Sequence, residues 1–442
     1  MPTATFDVLG DLEARGLVHD STDREALARR LADPPVSIYC GFDPTADSLH
    51  VGNLLGILVL RRLQLAGHRP IALAGGATGM IGDPGGRSEE RNLLEADVLG
   101  ANLAAITAQL GRLLDFDTGP SSALLVDNAA WTAELPLLGF LRDVGKHVTV
   151  NQMLAKESVR ARVASTSGIS FTEFSYMLLQ AHDYLWLHEH EGCDLQIGGS
   201  DQWGNITAGV DLVRRRTGQR VHGLTWPLLT RADGTKFGKS AGSNVWLESA
   251  RTSPYAFYQY WMQTGDGDVR RFLLQLTLLS VEEAGSVAAA HAEAPERRDG
   301  QRRLAFEVTA LVHGADEAVA AQAATQVLFG QHSGPVPEGA FRALEGEVAT
   351  SVVARRRLEE GVDVEALLVD TGLSPSRSDA RRQLAQGAVY VNGRRTESPE
   401  AQVTASDLCH GRWVLLRRGK REHRLLLAEI DAAEVDVSGG RR

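Results

Sequence analysis

Residues 39–53 read Tyr39-Cys40-Gly41-Phe42-Asp43-Pro44-Thr45-Ala46-Asp47-Ser48-Leu49-His50-Val51-Gly52-Asn53. Val36, Ile38 and Cys40 alternate with polar or small neighbours, which predicts a short strand. Asp43-Pro44 and the small residues behind it break that strand into a turn. Leu54, Leu55, Ile57, Leu58 and Leu60 then begin a helix, so His50 and Asn53 fall at or just before its N-terminus. Unpaired backbone N–H groups and the positive dipole end favour phosphate there. Gly52 has no Cβ and lets a ligand approach the backbone. A strand, a small-residue turn and a helix start make a nucleotide-site geometry. A His-x-Gly-x pattern alone equally describes an ordinary capped helix, so its weight depends on what lies downstream.

Downstream stands Lys236-Phe237-Gly238-Lys239-Ser240, preceded by Asp233-Gly234 and followed by Ala241-Gly242-Ser243. Glycines on both sides make a mobile loop, and two lysines three apart can close over a triphosphate. By itself this is a solvated lysine turn; paired with the 39–53 stretch on a parallel sheet it becomes the second half of a nucleotide site. The two stretches resemble the His-Ile-Gly-His and Lys-Met-Ser-Lys-Ser signatures of class I aminoacyl-tRNA synthetases. With Tyr39, Asp43 and Thr45, the first looks like that of the bacterial tyrosyl enzymes. The departure is Asn53 at the second signature histidine. Its amide still donates to a phosphate or ribose oxygen but is never cationic.

The chain predicts an α/β fold: a Rossmann-like parallel sheet with a helical insertion, then an α-helical domain and a small α+β RNA-binding module. A helical lead-in carries Phe6, Leu9, Leu12 and Leu17, and Pro34-Pro35 end it. Strands are expected at 69–74, 123–126, 194–197 and 224–229, with helices at 95–114, 171–187 and 206–216. The expected domains are 1–230 with the insertion at about 130–190, 231–330 with the lysine loop and helices, a linker at 331–363, an alpha-L type module at 364–432 and a tail at 433–442. The glycine-rich loop 75–86 lacks a P-loop ending and is not Gly-x-Gly-x-x-Gly.

Tyr176, Gln180 and Asp183 fall at i, i+4 and i+7, on one face of an otherwise apolar helix. Polar groups on such a stripe need partners if buried, and a polar outer face is the plain alternative. The resemblance implies a tyrosine pocket. Tyr176, Gln180 and Asp83 would lie at the α-amino group, Gln202 near the carboxylate, and Tyr39 and Asp183 at the phenolic hydroxyl. Phenylalanine would then leave a buried carboxylate and hydroxyl unpaired, at about 1–3 kcal/mol for each group. Asp43, Gly52, Asp201 and Lys239 would bind ATP, with Asp201 on the ribose unless it simply caps a helix. His50, Asn53, Lys236, Lys239 and Thr45 would act on the phosphates. ATP is expected as a substrate with Mg²⁺ accompanying it, and no tightly bound metal is expected. His182, His188, His190 and Cys193 suggest zinc, but the spacing fits no standard site, and a surface turn explains them as well.

Net charge is −10, yet residues 375–424 hold eleven Lys/Arg against five Asp/Glu. A basic patch on an acidic chain points to RNA. Arg377, Arg381 and Arg382 lie within two helical turns, and Asn392-Gly393 predicts a hairpin ahead of Arg394 and Arg395. These five are the candidate tRNA contacts; a solvated basic helix is the alternative. The family implies tyrosine tRNA and L-tyrosine as partners, and a homodimer joined around residues 139–175. Apolar runs fall far short of the ~20 residues of a membrane helix. Three scattered cysteines and no signal peptide point to a cytoplasmic location. The family resemblance implies tyrosine activation and transfer to tRNA. The alternatives are a tryptophanyl sibling, another adenylyltransferase, and a catalytically inactive synthetase-like RNA-binding regulator.

Overall fold

The computed structural model describes residues 6–83, 95–117, 119–164, 168–230, 239–240, 243–329, 335–419 and 421–429. Strands β1 (Asp20–Ser21), β2 (Ser37–Phe42), β3 (Arg69–Ala74), β4 (Leu124–Asp127), β5 (Cys193–Gly199) and β6 (His222–Trp226) form one sheet in the order β1-β6-β5-β2-β3-β4. β2 to β6 are mutually parallel, and β1 pairs antiparallel with β6. The expected α/β fold is the one that forms. The lead-in read as helical also contains the edge strand β1, because two residues are too few to show alternation. β2, β3 and β5 are covered on both faces, which is why they read as nearly continuous apolar runs.

Strand order places the crevice. From β2 the chain moves to β3 and β4 on one side, and later to β5 and β6 on the other. The gap between β2 and β5, at their C-terminal ends, is the switch point where ligands bind in such sheets. Between β4 and β5 runs a helical insertion, ending in the long helix Phe171–Glu191. Ser170 caps its start, and Gly192, at φ 61°, ends it in the left-handed region.

The helix Val51–Leu65 is held from beneath. Buried Arg62 donates to the carbonyls of Leu274 (3.2 Å) and Gln275 (3.0 Å), and Arg15 donates to those of Leu274 and Leu279 (both 3.0 Å). These carbonyls lie at and beyond the end of the helix Asp266–Leu276, where intrahelical donors run out. Burial, then the Arg15 charge, brings the Arg62 pKa down to about 9, so it stays charged at neutral pH.

The chain divides into two compact units, Met1–Thr252 with Gln263–Leu304, and Ser253–Met262 with Ala305–Arg442. The helical stretch read as one domain at 231–330 is thus shared between them. In the first unit a two-stranded ribbon, β7 (Lys239–Ser240) with β8 (Ser243–Asn244), follows β6.

In the second unit Gln259, on the helix Pro254–Met262, donates to Thr325 Oγ1 (2.6 Å) on the helix Ala315–Leu328. The strands β9 (Thr350–Ala354), β10 (Val362–Asp363), β11 (Val389–Val391), β12 (Arg394–Thr396), β13 (Gln402–Val403), β14 (Trp413–Arg418) and β15 (Glu422–Glu429) follow. Five of them make a sheet in the order β12-β11-β14-β15-β9. The expected hairpin is present, with Asn392 at φ 49° and Gly393 at φ 78°. The linker expected at 331–363 needs correction. It holds the helices Glu338–Leu344 and Arg355–Glu360, and β9 pairs parallel with β15. That partner lies far along the chain, so no local pattern announces the strand.

Candidate active site

A cavity of about 360 Å³ opens at the C-terminal ends of β2 and β5. Its lining includes most of the expected residues: Tyr39, Asp43, Thr45, His50, Gly52 and Asn53 from the first stretch, then Asp83, Tyr176, Gln180, Asp183, Asp201 and Gln202.

The deep end is built on the Phe171–Glu191 helix. Asp183 is 2% exposed; its Oδ1 accepts the indole N–H of Trp131 (2.9 Å) and its Oδ2 the amide of Asn128 (3.0 Å). Burial outweighs these two donors and raises the Asp183 pKa to about 7, with Asp43 and Asp127 adding to the rise. Tyr39 is equally buried, and its hydroxyl meets no partner among the described residues. Burial first, then the Asp183 charge, pushes the Tyr39 phenol up, so it stays neutral and able to donate. A buried carboxylate beside an unpaired buried hydroxyl is an arrangement that a ligand hydroxyl completes.

The middle of the cavity is anionic and amide-rich. Tyr176 donates to Asp43 Oδ2 (3.3 Å), and Thr78 donates to Asp43 Oδ1 (3.3 Å). Asp83 accepts from Gln202 (2.8 Å) and Asn205 (3.3 Å). The side-chain oxygens of Gln180 and Gln196 are buried without a partner among the described residues. Asp201 lies beside Gln202, its carboxyl raised by burial. Lys156 donates to Asn205 Oδ1 and feels the charges of Asp83 and Asp201.

The outer end is the helix start. His50 N-caps Val51–Leu65: its Nδ1 accepts from Gly52 N (3.0 Å), and Asn53 Oδ1 accepts from His50 N (3.1 Å). With Nδ1 accepting, the proton of the neutral ring is on Nε2. Burial lowers the His50 pKa and favours that neutral form. A Cβ on Gly52 would stand 2.8 Å from the His50 ring and push it out of its capping position. Residues 245–247 bond to residues 49–51, through Val51 N to Val245 O (3.0 Å) and Leu247 N to Leu49 O (2.8 Å). The segment after the lysine loop is therefore tied to the start of the Val51–Leu65 helix. Lys239 lies on β7; Lys236 lies outside the described residues.

Four residues of the site carry no sequence signal: Gln196, on β5, lines the cavity, while Asn128 and Trp131, after β4, bond to Asp183, and Lys156, in the helical insertion, bonds to Asn205. No spacing motif marks any of them. Two of the three histidines considered for zinc have other work. His188 Nδ1 donates to Cys193 O (3.0 Å), and His190 Nδ1 donates to Trp186 O (2.9 Å). Among the described residues no group of three or more metal ligands is found.

In the second unit all five candidate RNA-contacting arginines are exposed. Arg377 (3.9 Å) and Arg381 (2.6 Å) flank Glu365, Arg382 pairs with Asp379, Arg394 with Asp407 (3.0 Å) and Arg395 with Glu397 (3.1 Å). Arg417 stacks over Tyr390 at 3.9 Å, a pairing the sequence did not reveal.

Comparison with known proteins decides between the class I alternatives. Residues 31–330 match the model of class I tRNA synthetases (W and Y), and residues 346–426 match that of the tyrosine–tRNA ligase SYY-like C-terminal domain. A tyrosine–tRNA ligase of Opitutus terrae is 52% identical over 94% of this chain and 98% of that protein. That of Geobacillus stearothermophilus is 50% identical over 95% and 99%.

The chain belongs to the tyrosine–tRNA ligases.

Among solved structures, a C-terminally truncated mitochondrial tyrosyl-tRNA synthetase of Aspergillus nidulans superposes with a TM-score of 0.68 at 34% identity. It covers 73% of this chain and 94% of that one. A tyrosyl-tRNA synthetase of Archaeoglobus fulgidus, 17% identical with a TM-score of 0.54, shares the fold. The family match supersedes the tryptophanyl, adenylyltransferase and inactive-regulator alternatives: this is a ligase, with a C-terminal RNA-binding domain of the ligase type.

Proposed function

We propose that the cavity between β2 and β5 is where this ligase joins L-tyrosine to ATP, before passing tyrosine to the 3′-terminal adenosine of tyrosine tRNA. The observation that carries this reading is the buried pair Tyr39 and Asp183, one with a free hydroxyl and the other a half-paired carboxylate. A substrate phenol fits between them, donating to Asp183 and accepting from Tyr39. Asp83, Tyr176 and Gln180 then face the α-ammonium, and Gln202 the carboxylate. Asp201 takes the ribose hydroxyls, and Asp43 and Gly52 border the nucleotide.

In the first step a tyrosine carboxylate oxygen attacks the α-phosphorus, and the bond to the β-phosphate breaks, releasing pyrophosphate. No protein nucleophile is needed. Catalysis comes from alignment and from donors that meet the growing charge. His50 offers Nε2–H, Asn53 its amide, Lys236 and Lys239 their ammonium groups, and Thr45 a hydroxyl. Mg²⁺ enters with ATP as part of that substrate. In the second step a ribose hydroxyl of the tRNA attacks the tyrosyl carbonyl, and AMP leaves.

The second unit's exposed arginines suit an RNA backbone. Leu137, Leu138, Leu141, Val150 and Phe171 in the insertion are large, apolar and exposed, up to 79% for Leu138, and we infer that a second copy of the chain covers them. Among the described residues no helix is long and apolar enough to cross a membrane. With tRNA and ATP as substrates, the chain would work in the cytoplasm.

The test is single-turnover adenylate formation by His50→Ala. A loss of about 10²-fold in rate with tyrosine affinity kept supports the phosphate role; an unchanged rate removes it.

A further inference from the structure

Three aromatic rings run from behind Asp183 to the surface. Trp131, whose indole N–H holds Asp183, stacks on Trp186 with centroids 4.1 Å apart and planes 10° apart. Trp186 in turn stacks on His190 at 4.3 Å and 11°. His190 is exposed, and its ring is fixed by its own bond to the Trp186 carbonyl. We propose that Trp186 is a positioning residue for substrate choice: lying flat on Trp131, it holds that indole N–H on Asp183 and so sharpens the separation of tyrosine from phenylalanine. The proposal rests on the reading of Asp183 as partner of the tyrosine hydroxyl.

Trp131 is buried in the core that packs around the Phe171–Glu191 helix, and the Trp186 ring is the flat surface that sets its tilt. Trp131 stands on the four-residue helix Ala129–Thr132, which is too short to be rigid by itself. Trp186 comes from the 21-residue Phe171–Glu191 helix that also carries Asp183, one turn away. One rigid element therefore supplies both the carboxylate and the surface that orients its donor. The parallel stack fixes the plane of the indole, and a modest tilt out of that plane would weaken the 2.9 Å bond.

The groups facing Asp183 are Tyr39 from β2, Asp43 from the turn after it, Asp127 and Asn128 from the end of β4, and Trp131. Among the described residues only Asn128 and Trp131 donate to it. Losing one donor favours the protonated carboxyl. A neutral carboxyl costs less to leave unpaired than a carboxylate, so phenylalanine is rejected less.

The experiment measures tyrosine- and phenylalanine-dependent ATP–pyrophosphate exchange by the full chain across pH. The variants are Trp186→Leu, which fills space without a flat face, Trp186→Phe, which keeps a ring, and Trp131→Phe, which deletes the N–H. For Trp186→Leu the expected result is a tyrosine KM raised about tenfold at unchanged kcat. Its tyrosine/phenylalanine ratio should fall, and its acid limb should move to higher pH. Trp186→Phe should restore wild-type values, and Trp131→Phe should copy the leucine variant. If the leucine variant does not fold, Trp186→Gln replaces it with the same two outcomes. The proposal is overturned if the wild type exchanges with tyrosine and the Trp186 variant keeps its KM, ratio and acid limb. Absence of tyrosine exchange in the wild type would instead overturn the pocket reading beneath it.

Discussion

Asn53 Oδ1 accepts the backbone N–H of His50 at 3.1 Å, so the residue that departs from the family signature closes the first turn of the Val51–Leu65 helix. The bond uses the amide oxygen and leaves the NH₂ group to donate to ligand. A histidine there could accept the same N–H through Nδ1 and donate through Nε2. Asn53→His should therefore keep adenylate formation within about threefold, whereas Asn53→Ala should lower it about tenfold. Tyrosine-dependent pyrophosphate exchange reads both.

Tyrosine affinity should depend on Asp183 ionisation. Burial raises this carboxyl from 3.8 to about 7, so in the folded chain it ionises late. The sign follows from linkage: ionisation costs the empty fold stability, by nothing at low pH and by about 4 kcal/mol above the raised value. A phenol donating to the carboxylate offsets that cost. The thermal upshift produced by saturating tyrosine should be larger at high pH and shrink as pH falls through about 7. An upshift flat with pH would contradict the assignment.

Arg62 should matter for folding rather than chemistry. Its guanidinium, with that of Arg15, satisfies carbonyls around the end of the Asp266–Leu276 helix. Arg62→Met strands those groups and should destabilise the first unit by about 3 kcal/mol. Denaturant unfolding measures this directly.

How much of this was legible before the structure depends on how each residue reaches the site. The Tyr176, Gln180 and Asp183 stripe could be read because one helix carries all three at its own period. His50, Gly52 and Asn53 could be read because a cap is a local event. Asn128, Trp131 and Lys156 arrive on the turn after β4 and on the insertion, and only tertiary packing sets them beside Asp183 and Asp83. The same reason hid β9, which pairs Thr350 with Leu425 of β15, far along the chain. The five arginines were found by charge count, but their carboxylate partners Glu365, Asp379, Asp407 and Glu397 were not.

Those arginines should separate the two steps of the reaction. Arg377→Gln with Arg382→Gln should leave pyrophosphate exchange unchanged and raise the KM for tyrosine tRNA about tenfold. The salt slope of tRNA binding should fall by about one for each arginine that contacts phosphate. An unchanged tRNA KM would move the RNA surface elsewhere on the second unit.

The exposed leucines of the insertion predict an assembly. Leu138→Asp places a charge in the face we assign to a second copy and should convert a dimer to a monomer in light scattering. A wild-type monomer would remove the assignment.

ATP–pyrophosphate exchange measured with each of the twenty amino acids and no tRNA tests the Tyr39 and Asp183 pairing most directly. Exchange with tyrosine alone is the predicted result. It would place activation in a pocket that reads a phenolic hydroxyl. Exchange with tryptophan instead, or with phenylalanine as readily as tyrosine, would contradict the reading of Tyr39 and Asp183 as the partners of a phenolic hydroxyl.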